Sequence, residues 1–291
     1  MKENIKAIDI HIHGGFGINF DNANQNDYMD FLSQAYISGL YAICPALTGD
    51  IPDRIYEKLS IIKEVKQKTD KMRNITKIIG ANLEGTFLDK NKPGIQNKDY
   101  FLKPDKSNFI NLVKDSEDIV KIVTIGEKDN NDLVNYLKSK NIKVHFGHTT
   151  MNEIKNADGI THLFNAMDDI SHKKETLCLS ALLDKNIYIE LIADTKHVIP
   201  DLLKLTFKIK DLSKIILISD AIPLAKSNLE YITFCGKKIY KGGVDDKGTL
   251  AGSVMFLPDI IQNLDKTGIL PIEVSKKLVY ENVVDYLKLI V

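Results

Sequence analysis

The sequence predicts an α/β fold, a TIM-type (β/α)8 barrel, on three observations. About eight short apolar runs of strand character alternate with stretches of helical period, the pattern of successive parallel βαβ units. The 291 residues are close to the roughly 250 that such a barrel occupies as one domain. Hydrophobic residues make up 44% of the chain, enough to bury a sizeable core.

Taken in order, Ala7–Ile12 is an apolar run cut off by Gly14 and Gly15. Tyr28–Ser38 is helical and stops at Gly39, and Tyr41–Pro45 is the next strand. Arg54–Lys68 carries Ile55, Leu59, Ile62 and Val65 at helical spacing. Ile75–Leu83 is a strand, Ser107–Ser116 a helix, and Asp118–Ile125 a strand rich in β-branched residues. Leu133–Lys140 is a helix, Ile142–Phe146 a strand, and Ile160–Leu163 a brief one. Leu177–Lys185 is helical, Ile187–Ile192 a strand, Pro200–Lys210 a helix and Lys214–Ile218 the last strand. Within 229–247 the alternation breaks, and Tyr231–Tyr240 reads as an inserted β-hairpin. Pro258–Leu264 and Pro271–Leu287 close the chain as helices. With no internal repeat and no low-complexity linker, a single domain over 1–291 is expected.

Composition narrows the function classes. Lys+Arg and Asp+Glu are both 39, a net charge of zero, which argues against a nucleic-acid partner. A small anionic substrate needs only a local basic pocket and is not excluded. Cys44, Cys178 and Cys235 are odd in number and far apart, so neither a disulfide framework nor a cysteine zinc site is expected. No signal-like h-region and no apolar run of ~18 residues occurs, so a soluble, cytoplasmic protein without a membrane partner is expected.

The ionisable residues fall at strand ends. His11 and His13 close the first strand, and residues i and i+2 of a strand face the same side. Alone, such a pair is weak evidence. Glu84 follows the strand ending at Leu83, His148 follows Phe146, His162 follows Ile160, and Asp220 follows Ile218. In a TIM barrel catalytic residues lie at the C-terminal strand ends. Four His, one Glu and one Asp there suit Zn²⁺, Fe²⁺, Mn²⁺ or Co²⁺, one or two ions per chain. Glu84 can bridge two ions. A bound ion lowers the pKa of water from about 15.7 toward about 7, and Asp220 can take the proton and hand it to a leaving group. The chemistry so described is metal-assisted hydrolysis.

The segments IDIHIHGGFG (8–17), NLEGTFLDKNKPG (82–94), GHTT (147–150), THLFNAM (161–167), IADTKHV (192–198), SDA (219–221) and GTLAGS (248–253) occur in order. Together they resemble the N-acetylglucosamine-6-phosphate deacetylases of the amidohydrolase superfamily. The resemblance implies Glu84, His148 and His162 as principal metal ligands, His11 and His13 as ligands of a second ion, and Asp220 as catalytic acid/base. It implies that His197 contacts the sugar and that Asn165 and Ala166 line the phosphate pocket. The activity implied is hydrolysis of the acetamide of N-acetylglucosamine 6-phosphate to glucosamine 6-phosphate and acetate.

Four departures qualify that expectation. Thr86 replaces a family proline and is expected to loosen a turn. Gln96 replaces a histidine that polarises the acetyl carbonyl, and one lost oxyanion donor can cost about 10²–10³ in rate. Lys173 stands where the family has a phosphate-binding arginine, without the guanidinium fork. The family's β-sandwich is expected to be absent or reduced to the hairpin, and homodimerisation would cover the surface it leaves, by family analogy alone. Two alternatives follow: a deacetylase for another N-acetyl hexosamine phosphate, or a weakly active or inactive sugar-phosphate-binding barrel.

Overall fold

The computed structural model describes residues 5–290. Eight parallel strands form its main sheet: β1 (Ala7–Ile12), β2 (Leu40–Leu47), β3 (Ala81–Phe87), β4 (Val120–Ile125), β5 (Lys143–Phe146), β6 (Gly159–Ile160), β7 (Tyr188–Ile192) and β8 (Ile215–Ile218). They are paired in chain order, with the short strand Lys77–Ile78 beside β2. The ring closes where Asp220 N–H donates to His11 C=O at 2.9 Å and His13 N–H to Ala221 C=O at 2.8 Å. This is the predicted (β/α)8 barrel.

Helices α1 (Gln25–Ile37), α2 (Pro52–Thr69), α3 (Lys106–Val113), α4 (Asn131–Ser139), α5 (Leu177–Leu183), α6 (Pro200–Ile209), α7 (Leu257–Lys266), α8 (Ile272–Val279) and α9 (Glu281–Leu287) surround it. Local chemistry fixes their starts. Asn24 and Asp27 form a capping box on α1, Asp105 caps α3, Thr176 caps α5, and proline opens α2, α6 and α7. The helix expected over Pro271–Leu287 is two, because Tyr280 at φ −135° leaves the helical region between α8 and α9. The strand expected over Ile75–Leu83 is likewise split, into Lys77–Ile78 and β3.

Two apolar layers hold the barrel. Outside it, Ile43, Leu47, Leu83, Val123, Ile189, Leu191, Ile215 and Leu217 pack on the helices. Ile216, Ile218 and Ile192 turn inward and meet Ile8, Ile10, Ala42, Cys44 and Ile122, with Val283 and Tyr286 of α9 sealing that cluster. Strands β9 (Tyr231–Phe234) and β10 (Lys237–Tyr240) form an antiparallel hairpin whose Ile232, Phe234 and Ile239 pack on Ile95, Ile222, Leu224 and Ala251. Thr86 does not sit in a loosened turn. It lies inside β3 at φ 125°, a conformation that a proline ring forbids. No helix among the described residues is long and apolar enough to cross a membrane.

Candidate active site

Five of the eight barrel strands carry the reactive side chains, either within the strand or just past its C-terminal end. His148, His162 and Asp220 each sit two residues beyond β5, β6 and β8. Their φ values are 46°, 27° and 52°, a region side chains with a Cβ seldom occupy and one concentrated at functional sites. In β1 the register with β2 shifts between Asp9 and Ile12, an irregularity that re-aims the strand where its histidines begin. Glu84 sits within β3.

Glu84 is the hub. Its Oε1 lies 3.0 Å from both His148 Nε2 and His162 Nε2 and 3.6 Å from His11 Nε2, while Oε2 is 3.4 Å from His13 Nε2. Asp220 Oδ1 stands 3.2 Å from His13 Nε2 and 3.7 Å from His11 Nε2. His11, His13, Glu84, His148 and His162 are all buried.

Oxygen acceptors on the far side of three rings fix which nitrogen faces inward. His13 Nδ1 donates to Ala46 C=O at 3.1 Å and His148 Nδ1 to Lys92 C=O at 3.0 Å. His11 Nδ1 donates to Glu190 Oε2 at 3.0 Å. A ring that carries its hydrogen on Nδ1 presents a lone pair at Nε2, the form a metal requires.

The residues fit a divalent cation. His11, His13 and Glu84 form one group, and Glu84, His148 and His162 a second, each with ligand atoms within 4.8 Å of one another. The Nε2 atoms of His148 and His162 lie 3.0 Å apart, and His11 Nε2 is buried with no hydrogen-bond partner. Lone pairs aimed at each other beside a carboxylate are reconciled by a cation between them. The protonation balance agrees. Burial raises the Glu84 carboxyl, but hydrogen bonds from the four imidazoles outweigh it and hold it well below its usual range. Burial lowers His13, but Asp220 and Glu84 overcome that and push it up to about 9. The carboxylates therefore favour protons on His11 and His13 that a bound cation displaces.

Above the cluster opens a cavity of about 220 Å³, lined by His13, Glu84, His148, His162 and Asp220 below and by Gln96, Asn165, Ala166 and His197 around the wall. His197 Nδ1 donates to Asp194 Oδ2 at 2.8 Å. Burial opposes charge on that ring, yet Asp194 prevails and raises its pKa. Asn165 Nδ2 is turned back onto the carbonyls of His162 and Leu163 at 3.2 and 3.3 Å. Phe234 of the hairpin lines the cavity too, its ring centroid 5.4 Å from that of His13.

Two expectations change. Gln96 lines the cavity, but its amide is engaged by the protein: Nε2 donates to Glu84 Oε2 at 2.6 Å, and Oε1 accepts from Gly49 N–H at 3.0 Å. It orients the hub carboxylate as well as facing substrate. Gly85 permits this, since a Cβ there would lie 1.9 Å from Gly49 N and 2.3 Å from Gln96 Oε1. Of the residues expected to bind substrate, Lys173 is left outside the cavity wall. It is exposed and follows Ser171, whose Oγ accepts its backbone N–H at 3.1 Å. The next residue, Lys174, and Lys92 both pair with Asp168, at 2.9 and 2.7 Å. Those two lysines pull the Asp168 carboxyl down to about 2.

Sequence reasoning did not select Asp9, Glu190 and His145, all buried beneath the cluster. Asp9 Oδ1 accepts the backbone N–H of His11 and of Ser219 at 3.2 and 3.3 Å, and burial pushes its carboxyl up to about 7. The available signal was an acid standing inside an otherwise apolar parallel strand.

No protein-family model matches the chain. It is similar to the N-acetylglucosamine-6-phosphate deacetylase of Bacillus subtilis (strain 168), 28% identical over 85% of this chain and 66% of the relative. It is similar also to the N-acetylgalactosamine-6-phosphate deacetylase of Escherichia coli O157:H7, 27% identical over 91% of this chain and 73% of that one. The chain thus spans about two thirds to three quarters of these relatives. Among solved structures, the N-acetylglucosamine-6-phosphate deacetylase of Pasteurella multocida superposes with a TM-score of 0.85 at 22% identity, over 97% of this chain and 76% of that one. A mutant of the Mycobacterium smegmatis enzyme in complex with N-acetyl-D-glucosamine-6-phosphate gives 0.86 at 21%, over 97% of this chain and 77% of that one. At these identities the structures establish a shared fold.

Proposed function

We propose that the protein is a metal-dependent hydrolase of the acetamide of N-acetylglucosamine 6-phosphate, releasing acetate and glucosamine 6-phosphate. The observation that carries this is the convergence of four imidazole Nε2 atoms on Glu84, with Asp220 against His11 and His13, beneath an open cavity. The similarity to curated deacetylases supports the same reading.

Glu84, His148 and His162 would hold one ion, and His11 and His13 with Glu84 a second. A divalent cation there supplies Lewis acidity for the amide carbonyl and lowers the pKa of water. Zn, Fe, Mn and Co all suit this donor set. Asp220 Oδ1 accepts the proton of the attacking water and returns it to the amine nitrogen as the C–N bond breaks. Asp194 holds His197 through Nδ1 and favours its charged form, so Nε2–H donates to a sugar oxygen. Gln96 fixes the rotation of Glu84, and Phe234 roofs the cavity. None of the lining residues is Lys or Arg, so the phosphate charge would be met from outside that lining, by Lys92, Lys173 and Lys174. A cytoplasmic homodimer belongs to the same proposal, on analogy with such deacetylases.

Relatives of nearly equal identity act, by their names, on the galactosamine epimer, which favours that compound as the second reading. Acetate release from both 6-phosphates and from unphosphorylated N-acetylglucosamine decides between them. The glucosamine epimer is expected to turn over fastest. Equal rates with and without phosphate would reject the phosphate assignment.

A further inference from the structure

The tautomers of the three anchored histidines are not fixed by the same kind of group. His13 and His148 lean on main-chain carbonyls, of Ala46 and Lys92, which accompany the fold whatever the side chains are. His11 leans on a side chain, Glu190 of β7, which is fully interior and reached across the barrel.

That carboxylate is itself built in. Glu190 Oε2 accepts His11 Nδ1–H at 3.0 Å and the backbone N–H of His162 at 3.2 Å, touching ligands of both ion positions. Its Oε1 lies 3.3 Å from His145 Nδ1, off hydrogen-bond alignment. His145 Nε2 meets Tyr286 Oη of α9 at 2.7 Å. Room for this last pair depends on Gly159, where a Cβ would lie 2.7 Å from His145 Nε2 and 3.0 Å from Tyr286 Oη. A buried acid costs desolvation energy unless its partners compensate. Among the buried apolar residues of the barrel interior, a column of Tyr286, His145 and Glu190 ending on His11 is not needed to fill space.

We propose that Glu190, braced by His145 and Tyr286, is the positioning residue that holds His11 with Nε2 toward Glu84 and thereby sets ion occupancy at the His11–His13–Glu84 position. This rests on reading that trio as an ion position. An ionised carboxylate can only accept, so it fixes the hydrogen on Nδ1 and leaves the Nε2 lone pair for the ion. Outer partners of this kind are worth about 10- to 100-fold in metal affinity.

The test is a Co²⁺ titration of metal-stripped protein, read by calorimetry and by the visible absorption of bound cobalt. Wild type is expected to take two ions in two steps. Glu190→Leu, which removes both acceptors, is expected to weaken one step about 100-fold, while the other moves much less. Glu190→Gln keeps an acceptor oxygen and loses the charge, so the same step weakens about tenfold; it carries the test if the leucine variant does not fold. Tyr286→Phe is expected to give a smaller loss at the same step. Wild-type uptake of two ions with both Glu190 variants unchanged would overturn the inference alone. Equal weakening of both steps would overturn it too, as a merely structural effect. Uptake of one ion would overturn it and leave the Glu84–His148–His162 site standing. No uptake would remove both it and the proposed function.

Discussion

In the barrel interior Ile8, Ile10, Ala42, Cys44, Ile122, Ile192, Ile216 and Ile218 pack into a hydrocarbon cluster sealed by Val283 and Tyr286. At the C-terminal strand ends, a few residues further along the same strands, Glu84 gathers His11, His13, His148 and His162, with Asp220 beside them. Both regions are buried, yet they answer to different physics. The apolar cluster gains from every methylene removed from water and can exchange one hydrocarbon for another of similar volume. The upper ring costs desolvation energy at every group, and its polar atoms are aimed at a shared centre. The first region is for folding, and the second is folding's expense on behalf of chemistry.

Substitutions separate the two. The largest effect is expected from Glu84→Gln, since this carboxylate contacts all four imidazoles: ion uptake, read by elemental analysis, and acetate release should both fall to background. Asp220→Asn should lower kcat by about 10²–10⁴ and leave ion content intact, because the carboxylate serves the proton and not the cluster's assembly. A variant that lost its ions as well would move Asp220 from acid/base to ligand. In the hydrocarbon, Ile218→Ala is expected to cost about 2–5 kcal/mol in urea unfolding with the kcat of the folded fraction retained. Loss of activity without loss of stability there would break the division between the regions. Gln96→Leu should be the mildest, about tenfold in kcat with ions still bound, as Glu84 loses one orienting donor.

Much of this division was legible in the chain. Alternating strand and helix patterns marked the barrel, and polar residues just after apolar strands marked its mouth. His148, His162 and Asp220 were readable because each follows a β-branched or aromatic run that stops abruptly. Glu190 was not, because it sits inside the run Ile187–Ile192, where an apolar pattern tolerates one charge and says nothing of what lies across the barrel. Gln96 could be matched to a family position, but whether its amide faces substrate or Glu84 depends on Gly49, 47 residues away. Lys173 was read as a phosphate ligand from its place in the family pattern, which carries no sign that its neighbour Lys174 and the distant Lys92 would meet on Asp168. Local pattern reveals which strand a residue belongs to, and contacts between distant strands decide what it does.

The central claim is that the upper ring is an ion site that hydrolyses an N-acetyl amino-sugar phosphate. Metal-stripped protein titrated with a divalent cation, with acetate release from N-acetylglucosamine 6-phosphate followed at each addition, tests it most directly. The account predicts negligible release from stripped protein and activity that rises in step with ion uptake. Full activity in the stripped protein, or no acetate at full occupancy, would contradict it.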